Sequence, residues 1–104
     1  MDHTIFLTCK SVWYYSAYDE DAFFEWIKKI PSIVAFNGKH DELYLYFESK
    51  TINEYDLQEL LALFYRYKVD MKQLQLFLNE SNKEWFQDDC GTFWHKRVFG
   101  KRQL

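Results

Sequence analysis

One short segment constrains the fold more than any other part of this sequence. Between positions 42 and 48, apolar residues alternate with polar or tyrosine residues. The alternating positions form two sets, Leu43, Leu45 and Phe47 on one side, and Tyr44 and Tyr46 on the other. Successive side chains of a β-strand point to opposite faces, so this pattern predicts a strand with one buried face. The Asn37-Gly38 pair upstream tolerates the positive φ angles of a tight turn, and therefore predicts a β-hairpin.

Two longer stretches have the spacing of amphipathic helices. Apolar residues recur at i, i+3, i+4 and i+7 in both, at Phe23, Trp26, Ile27 and Ile30, and at Leu57, Leu60, Leu61 and Phe64. A capping-box pattern precedes each stretch, Ser16 with Asp19 in the first and Thr51 with Glu54 in the second. Pro31 is expected to end the first helix, because proline lacks the amide N–H that would continue it.

The remaining segments complete a mixed fold. The run Ile5–Tyr15 is rich in β-branched and aromatic residues and predicts a first strand, long and with a bend near Cys9-Lys10-Ser11. Asp70 is expected to cap a third helix, and Phe93–Phe99 to form a last strand. The predicted order is β-α-β-β-α-α-β. It indicates one α+β domain over residues 1–104, in which a small antiparallel sheet has helices packed on one face.

Aromatic residues are unusually abundant. The chain has 10 Phe, 8 Tyr and 4 Trp among its 104 residues. A core of this size cannot enclose so many large rings, so several are expected at the surface. Tyrosine offers a rigid contact area with a polar tip, and is therefore enriched where proteins bind one another.

Charge is distributed unevenly along the chain. Residues 1–64 contain 11 acidic and 5 basic residues, residues 65–104 contain 5 acidic and 8 basic residues, and the net charge is −3. Aromatic residues on a sheet could stack nucleic-acid bases, and a helix beginning at Met71 could enter a groove of DNA. The acidic balance argues against both readings, because it would repel phosphates.

The tyrosine side of the hairpin is the predicted partner-binding surface. Tyr44 and Tyr46 are expected to form its centre, with acidic residues around them at Asp41, Glu42 and Glu48. A second acidic edge is expected at the start of the first helix, formed by Asp19, Glu20 and Asp21. The alternative is that another layer of the same chain, such as the segment containing Trp94, covers the tyrosine side.

Motifs of catalysis or metal binding are missing from the sequence. It has no glycine-rich phosphate loop, no G-x-S-x-G, no H-E-x-x-H and no C-x-x-C. Cys90 and His95 are too few ligands for a structural zinc site, and their spacing alone does not define a nucleophile with its base. The acidic clusters lie at predicted helix starts and loops, where carboxylates are solvated and are not activated for acid–base catalysis. We therefore expect no enzyme activity, no metal and no cofactor.

The sequence also predicts a compartment. No apolar stretch is long enough for a transmembrane helix, and residues 1–7 do not resemble a secretory signal. Cys9 and Cys90 are then expected to be reduced thiols of a cytoplasmic protein, a monomer or weak dimer that binds neither membranes nor nucleic acid.

A family resemblance adds to this reading. The run Leu57–Phe86, with LFYRYKVDMKQL at 63–74 and NKEWF at 82–86, and the ending Trp94–Gly100 resemble small bacterial proteins encoded beside polymorphic toxins of the contact-dependent growth inhibition and Rhs kinds. The resemblance implies an immunity protein that binds and blocks one cognate toxin domain, and many such toxins are nucleases with basic clefts. Immunity families share no catalytic signature, so the resemblance assigns no site residue. The alternative is a small ligand-binding or regulatory α+β module without catalysis, with an aromatic pocket between helices and sheet.

Overall fold

The computed structural model describes residues 5–100 and confirms the α+β class. In chain order its elements are β1 (Ile5–Lys10), α1 (Ala17–Lys28), β2 (Ile33–Lys39), β3 (Glu42–Phe47), α2 (Glu54–Tyr67), a 3₁₀ helix (Met71–Phe77), α3 (Lys83–Phe86) and α4 (His95–Phe99). The three strands form an antiparallel sheet in the order β1-β3-β2. The strictly alternating segment is therefore the central strand.

The inner face of the sheet forms one wall of the hydrophobic core. Leu45 and Phe47 of β3 are fully buried, and the ring centroid of Phe47 lies 5.2 Å from that of Phe77 in the 3₁₀ helix. The predicted apolar stripes of α1 and α2 belong to the same core, with residues such as Phe23 and Leu60 fully buried. The prediction that helices pack on one face of the sheet agrees with this arrangement.

The hairpin forms, but its turn is not where the sequence predicts it. Asn37 and Gly38 lie within β2, opposite Tyr44 and Leu43, and the turn consists of His40 and Asp41. His40 has a φ of +60°, a conformation that histidine adopts more readily than most residues. A two-residue turn at 37–38 would pair Leu45 with residue 30, next to the end of α1, and most of β3 would then lose its pairing with β2. The pairing of the whole alternating segment outweighs the local preference of Asn-Gly.

The first strand is shorter than predicted. β1 ends at Lys10, and Ser11 follows with a φ of +52°, which breaks the extended conformation. The Ser11 amide donates a hydrogen bond to the Asp41 carbonyl (2.7 Å), so the segment after β1 is tied to the hairpin turn. Residues 12–15 therefore leave the sheet and cross the surface before α1.

The two long helices differ in how well their caps were predicted. Ser16 caps α1 as expected, since its side chain accepts from the Asp19 amide. The capping box predicted at Thr51 and Glu54 is wrong. Asn53 caps α2, and its Oδ1 accepts from the Asp56 amide (2.8 Å). Asparagine and threonine both serve as N-caps, so the choice depended on where the helix begins, which the sequence left two residues uncertain.

This difference gives a direct test. We expect Asn53→Ala to lower the free energy of unfolding by about 1 kcal/mol, because the Asp56 amide loses its partner. Thr51→Ala removes an exposed side chain outside the helix and should cost less than about 0.5 kcal/mol. Urea unfolding followed by circular dichroism measures both variants. Equal losses would contradict the assignment of the cap.

The predicted C-terminal strand is wrong. Residues 93–99 contain α4, whose Val98 is fully buried and whose first turn is closed by a hydrogen bond from the Val98 amide to the Trp94 carbonyl (2.9 Å). A run this short fits helical spacing as well as strand alternation, because Trp94 and Val98, four residues apart, would lie on one side of a helix. The side-chain Nε2 of Gln75 donates to the Val98 carbonyl (2.7 Å) and holds α4 against the 3₁₀ helix.

A side chain also closes the edge of the sheet where another strand would pair. Gln73 Oε1 accepts from the Thr8 amide (2.9 Å), and Gln73 Nε2 donates to the Thr8 carbonyl (2.7 Å). Gln73 therefore makes the two hydrogen bonds that a neighbouring strand would otherwise make. The predicted third helix, with Asp70 as its cap, is this 3₁₀ helix.

Candidate functional site

The tyrosine side of the hairpin is the first candidate site. Tyr44 and Tyr46 project from β3 on the face opposite the core, and Phe6 of β1 lies across them. The Phe6 ring centroid is 5.6 Å from that of Tyr44 and 6.1 Å from that of Tyr46, and Phe6 remains 54% exposed. None of these three rings packs against the core cluster. We call this surface, formed by Phe6, Tyr44 and Tyr46, the sheet face.

The covering layer considered as an alternative does not come from Trp94. The Trp94 indole packs edge-on against Trp85, at 6.0 Å between centroids, and its N–H donates to the Phe86 carbonyl (2.8 Å). Trp94 also packs against the core cluster, which lies on the inner side of the sheet. Within residues 94–99, the C-terminal segment packs on the core side and does not cover the sheet face.

The charges around the sheet face are mixed. Glu42 accepts a hydrogen bond from the Tyr44 hydroxyl at 2.5 Å, and this bond is the main reason that the pKa of Tyr44 is raised. The pairing register places Lys10 and Lys39 on either side of Glu42. The expected acidic rim is thus interrupted by two lysines that the hairpin prediction did not place there.

Two other predicted acidic residues lie near this face. Asp41, in the turn, accepts from the Ser11 hydroxyl (2.8 Å), and this hydrogen bond is the main reason that its pKa is lowered. Glu48 follows β3 and is exposed. A lowered pKa keeps Asp41 ionised and available to a cationic partner.

The predicted second acidic edge belongs to another part of the surface. Asp19 accepts from the Tyr15 amide (2.9 Å) and from the Tyr67 hydroxyl (2.9 Å), at the N-terminus of α1. Glu20 and Asp21 are exposed in the same helical turn. Asp19 lines a groove whose lining does not include Tyr44 or Tyr46.

The second candidate site is this groove, which the sequence patterns do not predict. It is an open depression of about 900 Å³ between the 11–15 segment, α1, α2 and the C-terminal segment. Its aromatic lining is contributed by Trp13, Tyr15, Trp26, Tyr65, Tyr67 and Phe93. Trp13 is 71% exposed and Tyr15 is 83% exposed, which is unusual for rings of this size. We call it the aromatic groove.

The rings of the aromatic groove meet at their edges. Trp13 and Tyr15 are 6.5 Å apart with an interplanar angle of 74°, and Tyr65 and Phe93 are 4.9 Å apart at 66°. The guanidinium of Arg97 lies over the face of Tyr65, 4.4 Å from its centroid. The quadrupole of the ring favours both arrangements, which restrict the orientations of these side chains.

The groove residues lie in segments whose local patterns predict other structures. Trp13 and Tyr15 lie at the end of the predicted long first strand. Phe93 and Arg97 lie in the predicted last strand, which does not form. Tyr65 lies at the edge of the apolar stripe of α2, four residues after the buried Leu61, and is 40% exposed. Its position therefore gives only a weak local indication of a surface site.

Several chemically reactive groups among residues 5–100 take part in structural contacts. Within this range, no three His, Cys, Asp or Glu side chains are grouped so as to hold a metal ion. Asp56 is 6% exposed, and accepts hydrogen bonds from both the amide and the hydroxyl of Ser32. Cys9 is 1% exposed, and burial raises the pKa of its thiol to about 12, so it stays protonated. Cys90 is exposed, whereas the ring of His95 packs on Phe99.

Comparisons with known proteins identify no relative. No protein-family model matches the chain, and searches of curated proteins and of solved structures gave no match either. Among residues 5–100, no helix has the length and apolar character needed to cross a membrane.

Proposed function

We propose that this protein is a cytoplasmic immunity protein, which binds a cognate toxin domain and blocks its active site by occlusion. The proposal rests on one observation: the sheet face presents two tyrosines and a phenylalanine outside the core, on the central and edge strands of a sheet. Rings held on paired strands lose little conformational freedom when a partner binds, so they suit a tight and stoichiometric interface.

The charges around the sheet face support a basic partner. Asp41 and Glu48 are exposed at its margins, and Glu42 lies beside Tyr44. Residues 1–64 carry more than twice as many acidic as basic residues, which would attract a basic nuclease cleft from a distance. The lysines beside Glu42 would add selectivity, because a partner must place its own charges to match them.

The resemblance of the C-terminal half to proteins encoded beside polymorphic toxins is the reason for proposing a toxin domain as the partner. Occlusion requires no reactive group on the inhibitor, only a stable surface of the right shape. Standard interfaces bury roughly 800 Å² on each partner, and three neighbouring rings with their polar surroundings supply the centre of such an area.

Co-expression tests the proposal. The product of the adjacent upstream gene is expressed with and without this protein, and the expected result is toxicity that the protein suppresses through a one-to-one complex. Tyr44→Ala combined with Tyr46→Ala should weaken that complex at least about tenfold and abolish protection. Tyr18→Ala with Tyr55→Ala is the matched control, since both tyrosines are highly exposed and lie off the sheet face.

Three results would contradict the proposal. The upstream product is harmless, no complex forms with it, or the sheet-face variant protects as well as the control variant. Circular dichroism of both double variants establishes that a loss of protection does not reflect unfolding.

A further inference from the structure

The aromatic groove carries a charge opposite to that of the whole protein. Three cationic side chains line it, those of Arg66, Lys68 and Arg97, whereas the chain as a whole has a net charge of −3. The ion pairs of Lys28 with Glu25 and of Lys83 with Glu80 involve none of the three groove cations. We propose that this groove binds an acidic peptide segment of a partner protein, anchored by an apolar side chain.

The one acidic residue described in the groove, Asp19, offsets only one of its three positive charges. Among residues 5–100, Asp19 is the one carboxylate in its lining, and its two oxygens already accept from the Tyr15 amide and the Tyr67 hydroxyl. The lining therefore retains an excess of two positive charges. Such a local excess on an acidic protein selects a partner segment of opposite sign.

The rings of the groove supply the apolar part of the site. Trp13 and Tyr15 form one ring pair on the 11–15 segment, and Tyr65 and Phe93 form a second pair in the same lining. Tryptophan, tyrosine and arginine are the residues most enriched where binding energy concentrates in protein interfaces. An aliphatic or aromatic side chain of the peptide would lie between the two ring pairs, while its carboxylates meet the cations.

Ring orientation favours a peptide over a single-stranded nucleic acid. Binding of bases requires flat and open ring faces on which they stack. Here the rings meet edge-on, and Arg97 already occupies one face of Tyr65. The groove offers crevices between rings, which fit branched or aromatic side chains.

This inference does not depend on the proposed function. The lining of the aromatic groove includes no residue of the sheet face. A protein that fails to protect against any toxin would still bind acidic peptides, and a true immunity protein could lack peptide binding. The two proposals therefore fail separately.

Selection from a random peptide library tests the groove. Peptides of about twelve residues are selected on the wild-type protein and counter-selected on the double variant Trp13→Ala with Arg97→Glu. The expected peptides have a net negative charge and at least one Trp, Phe or Leu. In fluorescence anisotropy, the double variant should bind them at least about tenfold more weakly, and rising salt should weaken binding to the wild type.

A matched variant and a second probe make the result decisive. Tyr55→Ala with Lys72→Glu changes one exposed tyrosine and one exposed lysine outside the groove, and should leave peptide affinity unchanged. Thermal unfolding checks that both double variants are folded. The proposal is overturned if the selected peptides are basic or neutral, if no peptide is enriched, if both variants bind alike, or if an oligo(dT) probe binds the groove more tightly than the peptides do.

Discussion

Replacing Phe47 with alanine is expected to lower the free energy of unfolding by about 3–5 kcal/mol. Phe47 is fully buried at the end of the central strand and packs against Phe77, so its loss leaves a cavity between the sheet and the 3₁₀ helix. A small domain has a total stability of about 5–15 kcal/mol, and the variant would therefore be near its unfolding threshold. Urea unfolding followed by circular dichroism measures the change as a lower midpoint with an unchanged slope.

Phe6 provides the comparison for this experiment. It is a phenylalanine of the same sheet, but it lies on the opposite face and is 54% exposed. Phe6→Ala should cost about 1 kcal/mol or less, because only its contacts with the two tyrosines are lost. Similar losses for the two variants would show that the sheet face is buried, and would remove the basis of the proposed interface.

Stability is also expected to fall steeply in alkaline solution, and Cys9 is the main cause. Burial raises the pKa of its thiol from 9.0 to about 12 in the folded protein. Below pH 9 the thiol is protonated in both states and has no effect. Between pH 9 and 12 the unfolded chain loses a proton that the folded chain keeps, so the free energy of unfolding decreases by about 1.4 kcal/mol per pH unit. The total over this window is about 4 kcal/mol.

Tyr14 acts in the same direction at higher pH. Its pKa is raised from 10.0 to about 12, first by desolvation and then by the nearby Glu20. Because Tyr14 is only partly buried, solvent reduces its contribution relative to that of Cys9. Both groups therefore favour the unfolded state as the pH rises above 10.

Two cysteine variants separate the causes. Cys9→Ala should remove the contribution of the buried thiol, and so flatten the decline in stability between pH 9.5 and 11.5 by about 1.4 kcal/mol per pH unit. Cys90→Ala should leave the decline unchanged, since Cys90 is exposed. Urea unfolding at a series of pH values gives these slopes. A Cys9 variant with the wild-type slope would show that the thiol does not remain protonated in the folded state.

The sequence predicted those features that depend on a repeated pattern. The alternation around Leu45 placed β3 correctly, because only one register of a strand buries its apolar side chains. The stripes of α1 and α2 were equally clear, since four apolar positions at helical spacing leave little choice of face. The outward position of Tyr44 and Tyr46 followed from the same alternation.

The features that the sequence did not predict depend on distant residues. The turn at His40 was fixed by the pairing of β2 with β3, which outweighed the Asn-Gly preference. The helical state of α4 depends on Gln75 and on the burial of Val98, neither of which a local pattern encodes. The aromatic groove combines residues as far apart as Trp13 and Arg97, so it existed only once the chain had folded.

The two hydrogen bonds between the Gln73 side chain and the Thr8 backbone limit how copies of this protein can associate. An unpaired strand edge acts as a template on which a second chain can add a strand, and repeated addition leads to fibrils. With the Thr8 amide and carbonyl already engaged by Gln73, β1 offers an interrupted template, which leaves β2 as the more open border of the sheet. A chain so rich in surface rings thus has one sheet border that is partly blocked against strand addition.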